Sequence, residues 1–339
     1  MPGGTSGNGW VTCAQGHQHW GVFGAAGLLA YVAHPADPAL TLVLVQQRSR
    51  WSHQGGTWAL PGGAMDSEET PAEAALREAD EECMLDPKLV VPRGQYTDDH
   101  GGWAYHTVLA EAAEPLRVRA DGYETDAAVW RPAGEVDQLD LHPGFAASWP
   151  ALRGALVPLT VLVDGTGGPA GAGRRLPARL AELARSGLGA LPGGLASSAL
   201  ARWYPDYVLA LGEADAADAT SAAAAEEARV AREAPRFSWN EPLTVRTAEI
   251  RVVAVADGAQ AADVLTGLAE ATPGHRLVVS DRRDARERAA AAGAAVAGLD
   301  WLTGPVLPVA PAMAAAQSSA PRLLLLSRTG SCPAKMVDR

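Results

Sequence analysis

The sequence is poor in cysteine, in positive charge and in long apolar runs, and each shortage excludes a class of protein. Its 339 residues include three cysteines, Cys13, Cys83 and Cys332, which lie far apart and form no metal-binding pattern. A formal net charge of −11 disfavours nonspecific binding of nucleic acid. No apolar run is long enough to span a bilayer, and no basic segment followed by an apolar one precedes the first motif. We therefore expect no membrane partner and a cytoplasmic location.

Residues 70–83 have the pattern of an amphipathic helix with a defined start. Thr70 is a good N-cap, Pro71 suits the first helical position, and Glu73 completes a capping box. Small and apolar residues recur at helical spacing and predict a buried stripe: Ala72, Ala75, Leu76, Ala79 and Cys83.

Three carboxylates share the opposite face of this predicted helix. Glu78, Glu81 and Glu82 are related by i+3 and i+4, and like charges at that spacing cost ~0.2–0.5 kcal/mol per pair unless a cation joins them. Oxygen ligands suit Mg²⁺, which also binds substrate phosphates. Arg77 can orient the carboxylates through charge-assisted hydrogen bonds. The alternative is a solvated acidic face, which is common on helices.

A turn and a second glutamate precede the helix at fixed spacing. Leu60-Pro61-Gly62-Gly63 predicts a tight turn. With it, the chain resembles the Nudix hydrolase family, whose signature is Gly, five residues, Glu, seven residues, Arg-Glu, an apolar residue, any residue, Glu-Glu, any residue, Gly and an apolar residue. Eight positions match in register: Gly63, Glu69, Arg77, Glu78, Ala79, Glu81, Glu82 and Leu85.

Met84 departs from that signature, because the family has glycine at this position. The glycine would serve as a helix C-cap. Methionine in a left-handed conformation would cost ~1–2 kcal/mol, unless the helix ends differently. The departure puts the local geometry in question and removes no ligand.

The resemblance implies both a fold and an activity. It implies a Nudix α/β/α sandwich and a pyrophosphohydrolase that cleaves a nucleoside diphosphate linked to another group, such as an ADP-ribose-like compound or a nucleoside triphosphate. Mg²⁺, with Mn²⁺ as a substitute, would be held by Glu78, Glu81 and Glu82. The implied catalytic residues are Glu82, Glu81, Arg77 and Glu69. The general base is Glu82 or a nearby acid, and Glu124 is a candidate for an acid from outside the signature.

Two alternatives to a single hydrolytic activity stay open. The first is a Nudix sensor that binds a nucleotide without cleaving it. A second domain in the C-terminal half of the chain would then carry out the response. The second adds RNA cleavage by that C-terminal domain. A nucleotide-derived small molecule is the expected partner in every case, and a homodimer is a further expectation.

The loop before the signature supplies candidate substrate ligands. Arg48 could bind phosphate, and Trp58 could stack on a base or pack beside the glycine-rich turn. Gly62 and Gly63 complete the predicted substrate-binding set.

Two further segments contain residues that could bind a metal. Residues 98–103 could place acids near the metal, but their composition favours a hairpin turn. Cys13, His17 and His19 suggest zinc, but a fourth ligand is missing, so we reject a zinc site here.

The chain divides into four predicted segments: a flexible N-terminus over residues 1–16, a Nudix domain over 17–155, a smaller α/β domain over 156–304 and a disordered tail over 305–339. In the third segment, short apolar runs alternate with helical patterns, which predicts a parallel sheet.

Acids follow the predicted strands of that parallel sheet. Asp164 and Asp281 lie at strand ends and Asp263 lies early in a helix, an order that faintly resembles PIN-like (NYN-type) ribonuclease domains. These three acids could share a metal or could be turn residues. We expect a degenerate, non-catalytic PIN-like domain.

Overall fold

The computed structural model describes residues 5–167, 172–192, 195, 200–233, 248–303 and 323–326. Its helices are α1 (Pro71–Cys83), α2 (Pro143–Gly154), α3 (Ala172–Ser186), α4 (Glu213–Glu233), α5 (Gly258–Ala271), α6 (Arg283–Ala291) and α7 (Leu299–Thr303). The first nine strands are β1 (Trp10–Thr12), β2 (Gln18–Trp20), β3 (Ala25–Val32), β4 (Leu42–Arg48), β5 (Trp58–Ala59), β6 (Gly62–Ala64), β7 (Val90–Asp99), β8 (Ala104–Ala112) and β9 (Thr125–Pro132). The others are β10 (Leu159–Asp164), β11 (Leu200–Trp203), β12 (Asp206–Gly212), β13 (Ile250–Val255), β14 (His275–Val279), β15 (Ala295–Ala297) and β16 (Leu323–Leu326).

A mixed eight-stranded sheet is built around β3. This strand pairs antiparallel with β4 and β6 and parallel with β8. Helix α1 covers one face of the sheet with Ala75, Leu76, Ala79 and Cys83, which are fully buried, whereas Ala72 of the predicted stripe is only partly buried. Helix α2 covers the other face through Trp149 and Leu152. The predicted α/β/α sandwich is therefore confirmed.

A second sheet has six strands, all parallel, in the order β15-β14-β10-β12-β13-β16. Every residue of β10 is buried, as expected for a strand covered on both faces. Helices α5 and α6 follow β13 and β14, so the predicted alternation and the parallel sheet are confirmed. Helix α4 begins directly after β12 and is helical from Glu213 through Glu233.

Strand β11 joins the two halves of the chain. It lies beyond the predicted boundary at residue 155, yet it pairs antiparallel with β7 of the first sheet. Arg93 on β7 binds Glu111 at 2.8 Å and Asp206 at 2.7 Å, so one guanidinium also connects the sheets. One cluster of buried side chains includes residues from both halves. The predicted domain boundaries stay predictions.

The structure describes short strands near both ends of the chain, in or next to segments that we expected to be flexible or disordered. Strand β1 lies in the segment over residues 1–16 that we expected to be flexible, and it pairs antiparallel with β2, which begins at Gln18. Gly7 N–H donates to Asp66 Oδ1 at 2.8 Å, and Thr5 N–H donates to Ser67 Oγ at 2.9 Å. In the tail, residues 323–326 form β16, which pairs parallel with β13, and the rest of 305–339 lies outside the described residues.

Among the described residues, no helix is both long enough and apolar enough to cross a membrane.

Candidate active site

Helix α1, which carries the three carboxylates, has a well-defined conformation at both ends. Thr70 Oγ1 accepts the Glu73 N–H at 3.2 Å and Glu73 Oε2 accepts the Thr70 N–H at 2.9 Å, which confirms the capping box. At the other end Met84 is left-handed, with φ 52° and ψ 35°. The helix therefore ends as it would with glycine, and methionine adopts the strained conformation instead of avoiding it.

Arg77 holds Glu69 and Glu78 in place. Its Nε donates to Glu69 Oε1 at 2.6 Å and its Nη2 to Glu69 Oε2 at 2.8 Å, a bidentate pair. Nη1 donates to Glu78 Oε1 at 2.8 Å, and Nη2 also reaches the Ala64 carbonyl at 3.0 Å. Because Glu69 Oε2 also accepts the Asp66 N–H at 2.9 Å, the loop and the helix form one charge-assisted network.

Glu82 is buried at 5% exposure and is oriented from two sides. Gln46 Nε2 donates to its Oε2 at 2.9 Å and the Gly62 N–H donates to the same oxygen at 2.8 Å. Burial raises the pKa of Glu82 to about 8, although both of these hydrogen bonds lower it. Since both bonds fall on Oε2, the other oxygen is the atom suited to a cation.

Glu78 lies against the glycine turn. A Cβ at Gly63 would be 2.5 Å from Glu78 Oε1, so only glycine lets this carboxylate approach the strand. Burial raises the pKa of Glu78, Arg77 lowers it, and the charges of Glu81 and Glu124 raise it further. The turn and the helix thus place one carboxylate among others of the same sign.

Glu81 lies at the open side of the site. Its side chain is 60% exposed and its Oε2 is 3.3 Å from Arg77 Nη1. In the part of the chain that the structure describes, Glu78, Glu81 and Glu82 do not offer three ligand atoms within 4.8 Å of one another. The structure therefore brings the three acids to one face of the helix. Their carboxylate oxygens lie too far apart to surround a metal ion without additional ligands.

The predicted substrate-binding residues differ in burial and in their contacts with the carboxylates. Arg48 is half-buried, its Nε donates to the His53 carbonyl at 3.0 Å, and its charge lowers the pKa of Glu82. Trp58 is half-buried and packs against the main apolar cluster, which matches the packing alternative. Gly62 and Gly63 lie in β6 and contact the carboxylates themselves.

Gln46 supports the site but was not predicted from the sequence. This residue is fully buried in β4, and its Oε1 accepts hydrogen bonds from Thr125 Oγ1 at 2.7 Å and Cys83 Sγ at 3.2 Å. A polar residue that interrupts an apolar strand is the signal that could have found it, since buried amides need partners. The candidate Glu124 is exposed next to Thr125, and its charge acts on Glu78.

A second group of ligand-type side chains lies away from the carboxylates. Cys13, His17, His19 and His100 each offer one ligand atom, and these four atoms lie within 4.8 Å of one another. The fourth side chain that the sequence reasoning lacked is therefore present. It was missed because His100 comes from the turn between β7 and β8, far along the chain. That turn confirms the hairpin predicted for residues 98–103.

The three acids of the second sheet do not form a common site. Asp164 is fully buried and accepts hydrogen bonds from Thr166 and Ser280, whereas Asp263 is exposed and pairs with Arg288 at 2.7 Å. Asp281 Oδ1 accepts the Leu299 N–H at 2.8 Å. The hypothesis that Asp164, Asp263 and Asp281 share a metal is therefore wrong, because α5 places Asp263 at the surface, away from the buried Asp164. The PIN-like resemblance itself stays a prediction.

Comparison with known proteins identifies the family. Residues 27–152 match the NUDIX domain. A Mycobacterium tuberculosis protein named "Putative 8-oxo-dGTP diphosphatase 3" is 46% identical over 162 residues, which are 46% of this chain and 72% of that protein. A Bifidobacterium longum "Nucleoside triphosphate pyrophosphatase/Nudix hydrolase fusion protein" is 39% identical over 44% of this chain and 32% of its own length.

Among solved structures, a Nudix hydrolase from M. smegmatis, RenU, is 45% identical, with a TM-score of 0.41 over 44% of this chain and 94% of that one. Nudix hydrolases use divalent metal ions, as the carboxylates on α1 lead one to expect. This chain belongs to the Nudix family and is a hydrolase that acts on pyrophosphate bonds.

Proposed function

We propose that this protein is a Mg²⁺-dependent nucleoside triphosphate pyrophosphohydrolase, with 8-oxo-dGTP as the first substrate to test. The observation that carries the proposal is the convergence of acids from separate segments. Glu82 is held by Gln46 and Gly62, Glu78 lies against Gly63, and the charge of Glu124 acts on Glu78. The charges of neighbouring acids raise the pKa of Glu78 and of Glu82, and a cation would remove that repulsion.

The residues fit Mg²⁺ better than an ion that needs a full protein cage. Glu78, Glu81 and Glu82 supply only oxygen ligands and are too widely spaced to enclose an ion alone. Mg²⁺ keeps several waters and takes the rest of its ligands from one or two carboxylates and substrate phosphates. Mn²⁺ accepts the same ligands and should substitute. When bound, the metal would neutralise the diphosphate and lower the pKa of an attacking water.

The other residues act by positioning. Arg77 fixes the carboxylate of Glu78 and braces the loop through Glu69, so that the ligand set keeps its shape as substrate arrives. Arg48 supplies a cation for a phosphate oxygen. Water adds to phosphorus, the P–O–P bond breaks, and the products are a nucleoside monophosphate and pyrophosphate. Glu124 or Glu82 accepts the proton from that water, with Glu124 the more accessible of the two.

The choice of substrate rests on the relatives. The M. tuberculosis relative carries 8-oxo-dGTP in its name, and the B. longum relative carries nucleoside triphosphate. An ADP-ribose-like substrate needs the same metal–diphosphate chemistry and is the second candidate. The cytoplasmic location and the homodimer stay predictions of the sequence.

The test is a substrate panel on the full chain with Mg²⁺. It should compare 8-oxo-dGTP, dGTP, ADP-ribose and a dinucleoside tetraphosphate, with products separated by anion-exchange chromatography. We expect 8-oxo-dGMP and pyrophosphate at the highest kcat/KM. Glu82→Gln should lower kcat by ~100-fold or more, since the metal contributes several kcal/mol to the transition state.

Glu114→Gln, an exposed acid outside the signature, is the matched control and should keep full activity. Binding of every panel member without turnover would overturn the proposal in favour of a sensor. Equal turnover by Glu82→Gln and the parent at saturating Mg²⁺ would remove the assigned site.

A further inference from the structure

We propose that Cys13, His17, His19 and His100 bind a structural Zn²⁺ that fastens the β1–β2 hairpin to the turn between β7 and β8. The four ligand atoms lie within 4.8 Å of one another. Tetrahedral Zn²⁺ with bonds of about 2.0–2.3 Å brings its ligands to roughly 3.5 Å from one another, so small side-chain movements complete the shell. Four protein ligands close the coordination sphere, which is typical of structural zinc sites.

The backbone brings these ligands together. Cys13 and His17 face each other across the hairpin turn, where the Cys13 N–H donates to the His17 carbonyl at 2.9 Å. His19 is two residues further along and points to the same side as His17, because side chains alternate along an extended chain. The Ala14 N–H donates to the Gly101 carbonyl at 2.8 Å, which holds the turn that carries His100 against the hairpin.

Two imidazole nitrogens in this cluster lack a partner that a metal would supply. His19 Nε2 and His100 Nδ1 are buried and have no hydrogen-bond partner in the described structure. A buried polar atom without a partner costs ~1–3 kcal/mol. Other buried polar atoms without a partner occur among the described residues, but these two lie beside a buried thiol and a third imidazole, so one bound cation would satisfy them together.

Other contacts already fix the orientation of the His100 and His19 rings. His100 Nε2 lies 3.2 Å from Asp98 Oδ2, the arrangement in which a metal-binding histidine donates its other N–H to a carboxylate. His19 stacks on Trp103 with centroids 3.9 Å apart and planes 9° apart. The ring centroids of His17 and His19 lie 6.3 Å apart, and those of His19 and His100 lie 4.7 Å apart.

The ligand chemistry selects the metal. A thiolate with three imidazoles suits Zn²⁺ and is unsuitable for Mg²⁺, which prefers carboxylate and water oxygens. The chain thus holds two metal sites of opposite character, one of oxygen ligands on α1 and one of nitrogen and sulfur ligands at the hairpin. Since Thr5 and Gly7 bond to Ser67 and Asp66, the zinc would also anchor a segment that lies on the loop leading into α1.

The first experiment measures metal in the full chain, purified without chelator and with any histidine tag removed. We expect about one zinc ion per chain by elemental mass spectrometry. After exchange with Co²⁺, we expect the intense visible bands of tetrahedral cobalt and a thiolate-to-cobalt charge-transfer band. A wild-type chain with no bound zinc and no such spectrum overturns the proposal.

Variants then locate the ion. Cys13→Ser and His100→Asn should lose the zinc, Asp98→Asn should weaken zinc affinity by about 10-fold, and Cys332→Ser and His34→Asn should keep it. Glu82→Gln should keep the zinc while losing hydrolysis, which separates this site from the proposed active site. Retention of the metal and the charge-transfer band by Cys13→Ser overturns the assignment, as does loss of zinc from either control variant.

A measurement on the wild-type chain covers the case in which the variants do not fold. Removing zinc with a chelator should lower the thermal midpoint, and adding Zn²⁺ back should restore it, because a structural metal stabilises only the folded state. Adding Mg²⁺ in place of Zn²⁺ should leave the midpoint low. A midpoint that does not respond to Zn²⁺ overturns the proposal.

Discussion

At the residue scale, the proposed chemistry depends on how closely a carboxylate can approach a strand. Glu78 reaches its position because Gly63 has no side chain, and Glu82 reaches its position because the Gly62 N–H meets its oxygen at 2.8 Å. Glycine at these two positions is therefore a steric requirement, since a Cβ at Gly62 would also lie 2.5 Å from the Ala26 carbonyl oxygen. The turn positions ligands as well as redirecting the chain.

Gly63→Ala should damage activity more than stability. The added Cβ would contact the Glu78 carboxylate and move it away from the metal position, so we expect kcat to fall by about 10-fold or more. Steady-state kinetics against Mg²⁺ concentration and a thermal melt measure the two effects. Gly154→Ala, where a Cβ meets nothing within 4 Å, is the control and should leave kcat unchanged without lowering the thermal midpoint. Normal kinetics in Gly63→Ala would show that Glu78 does not need its present position.

Met84→Gly should stabilise the protein. The left-handed conformation costs methionine ~1–2 kcal/mol, and glycine recovers that while losing ~0.4–1 kcal/mol through its more flexible unfolded chain. We expect a gain of roughly 0.5–1 kcal/mol in the free energy of unfolding, measured by urea denaturation. Met84→Ala keeps the strained backbone and removes the contact of Met84 Sδ with Arg119, so it should give no gain. A gain in both variants would attribute the effect to the side chain.

At the scale of elements, α1 works as a platform because both ends are fixed. The capping box fixes its first turn, the left-handed Met84 fixes its last, and the apolar stripe packs on β3. Arg77 then ties the middle of the helix to Glu69 in the preceding loop. A helix held at three places presents its acidic face with little freedom, which is what positioning of a metal and a diphosphate requires.

Thr70→Ala should destabilise the helix start. The lost bond from the Glu73 N–H to Thr70 Oγ1 should lower the free energy of unfolding by about 1 kcal/mol. Urea denaturation followed by far-UV circular dichroism measures it. Thr70→Ser keeps the hydroxyl and should stay within ~0.5 kcal/mol of the parent. Equal losses in both variants would point to the threonine methyl group instead of the cap.

At the scale of the whole molecule, the two sheets are joined by contacts that cross the predicted domain boundary at residue 155. Strand β11 covers the edge of β7, which would otherwise expose unpaired backbone groups. Arg93 lies between Glu111 and Asp206 on opposite sides of that division. The C-terminal half therefore contributes to the stability of the sheet that carries the proposed site.

Arg93→Leu should destabilise the whole chain. The substitution leaves two largely buried carboxylates without their cation. We expect the free energy of unfolding to fall by about 2–3 kcal/mol, slightly less than when one partner of a fully buried ion pair is removed. Urea denaturation followed by both tryptophan fluorescence and circular dichroism tests whether the sheets unfold together. Arg153→Leu breaks an exposed pair with Asp137 and should cost at most ~0.5 kcal/mol. Equal effects of the two substitutions would show that the pair between the sheets adds nothing.

Local signals in the sequence determined most of the secondary structure and the identity of the acidic site. The capping box, the helical spacing of Glu78, Glu81 and Glu82, and the alternation of apolar strands with helices depend on neighbours within a few residues. Such patterns can be identified without knowing the fold. They predicted α1 and the parallel sheet, and they led to the Nudix resemblance that the relatives confirm.

Only the tertiary structure decided which distant residues meet. Gln46 supports Glu82 from another strand, β11 crosses a predicted boundary, and His100 completes a cluster begun at Cys13. Each contact joins residues far apart in the chain, and no local pattern encodes it. The sequence by itself thus determined the acidic helix and the family, whereas packing decided how that helix is held and where a second metal would bind.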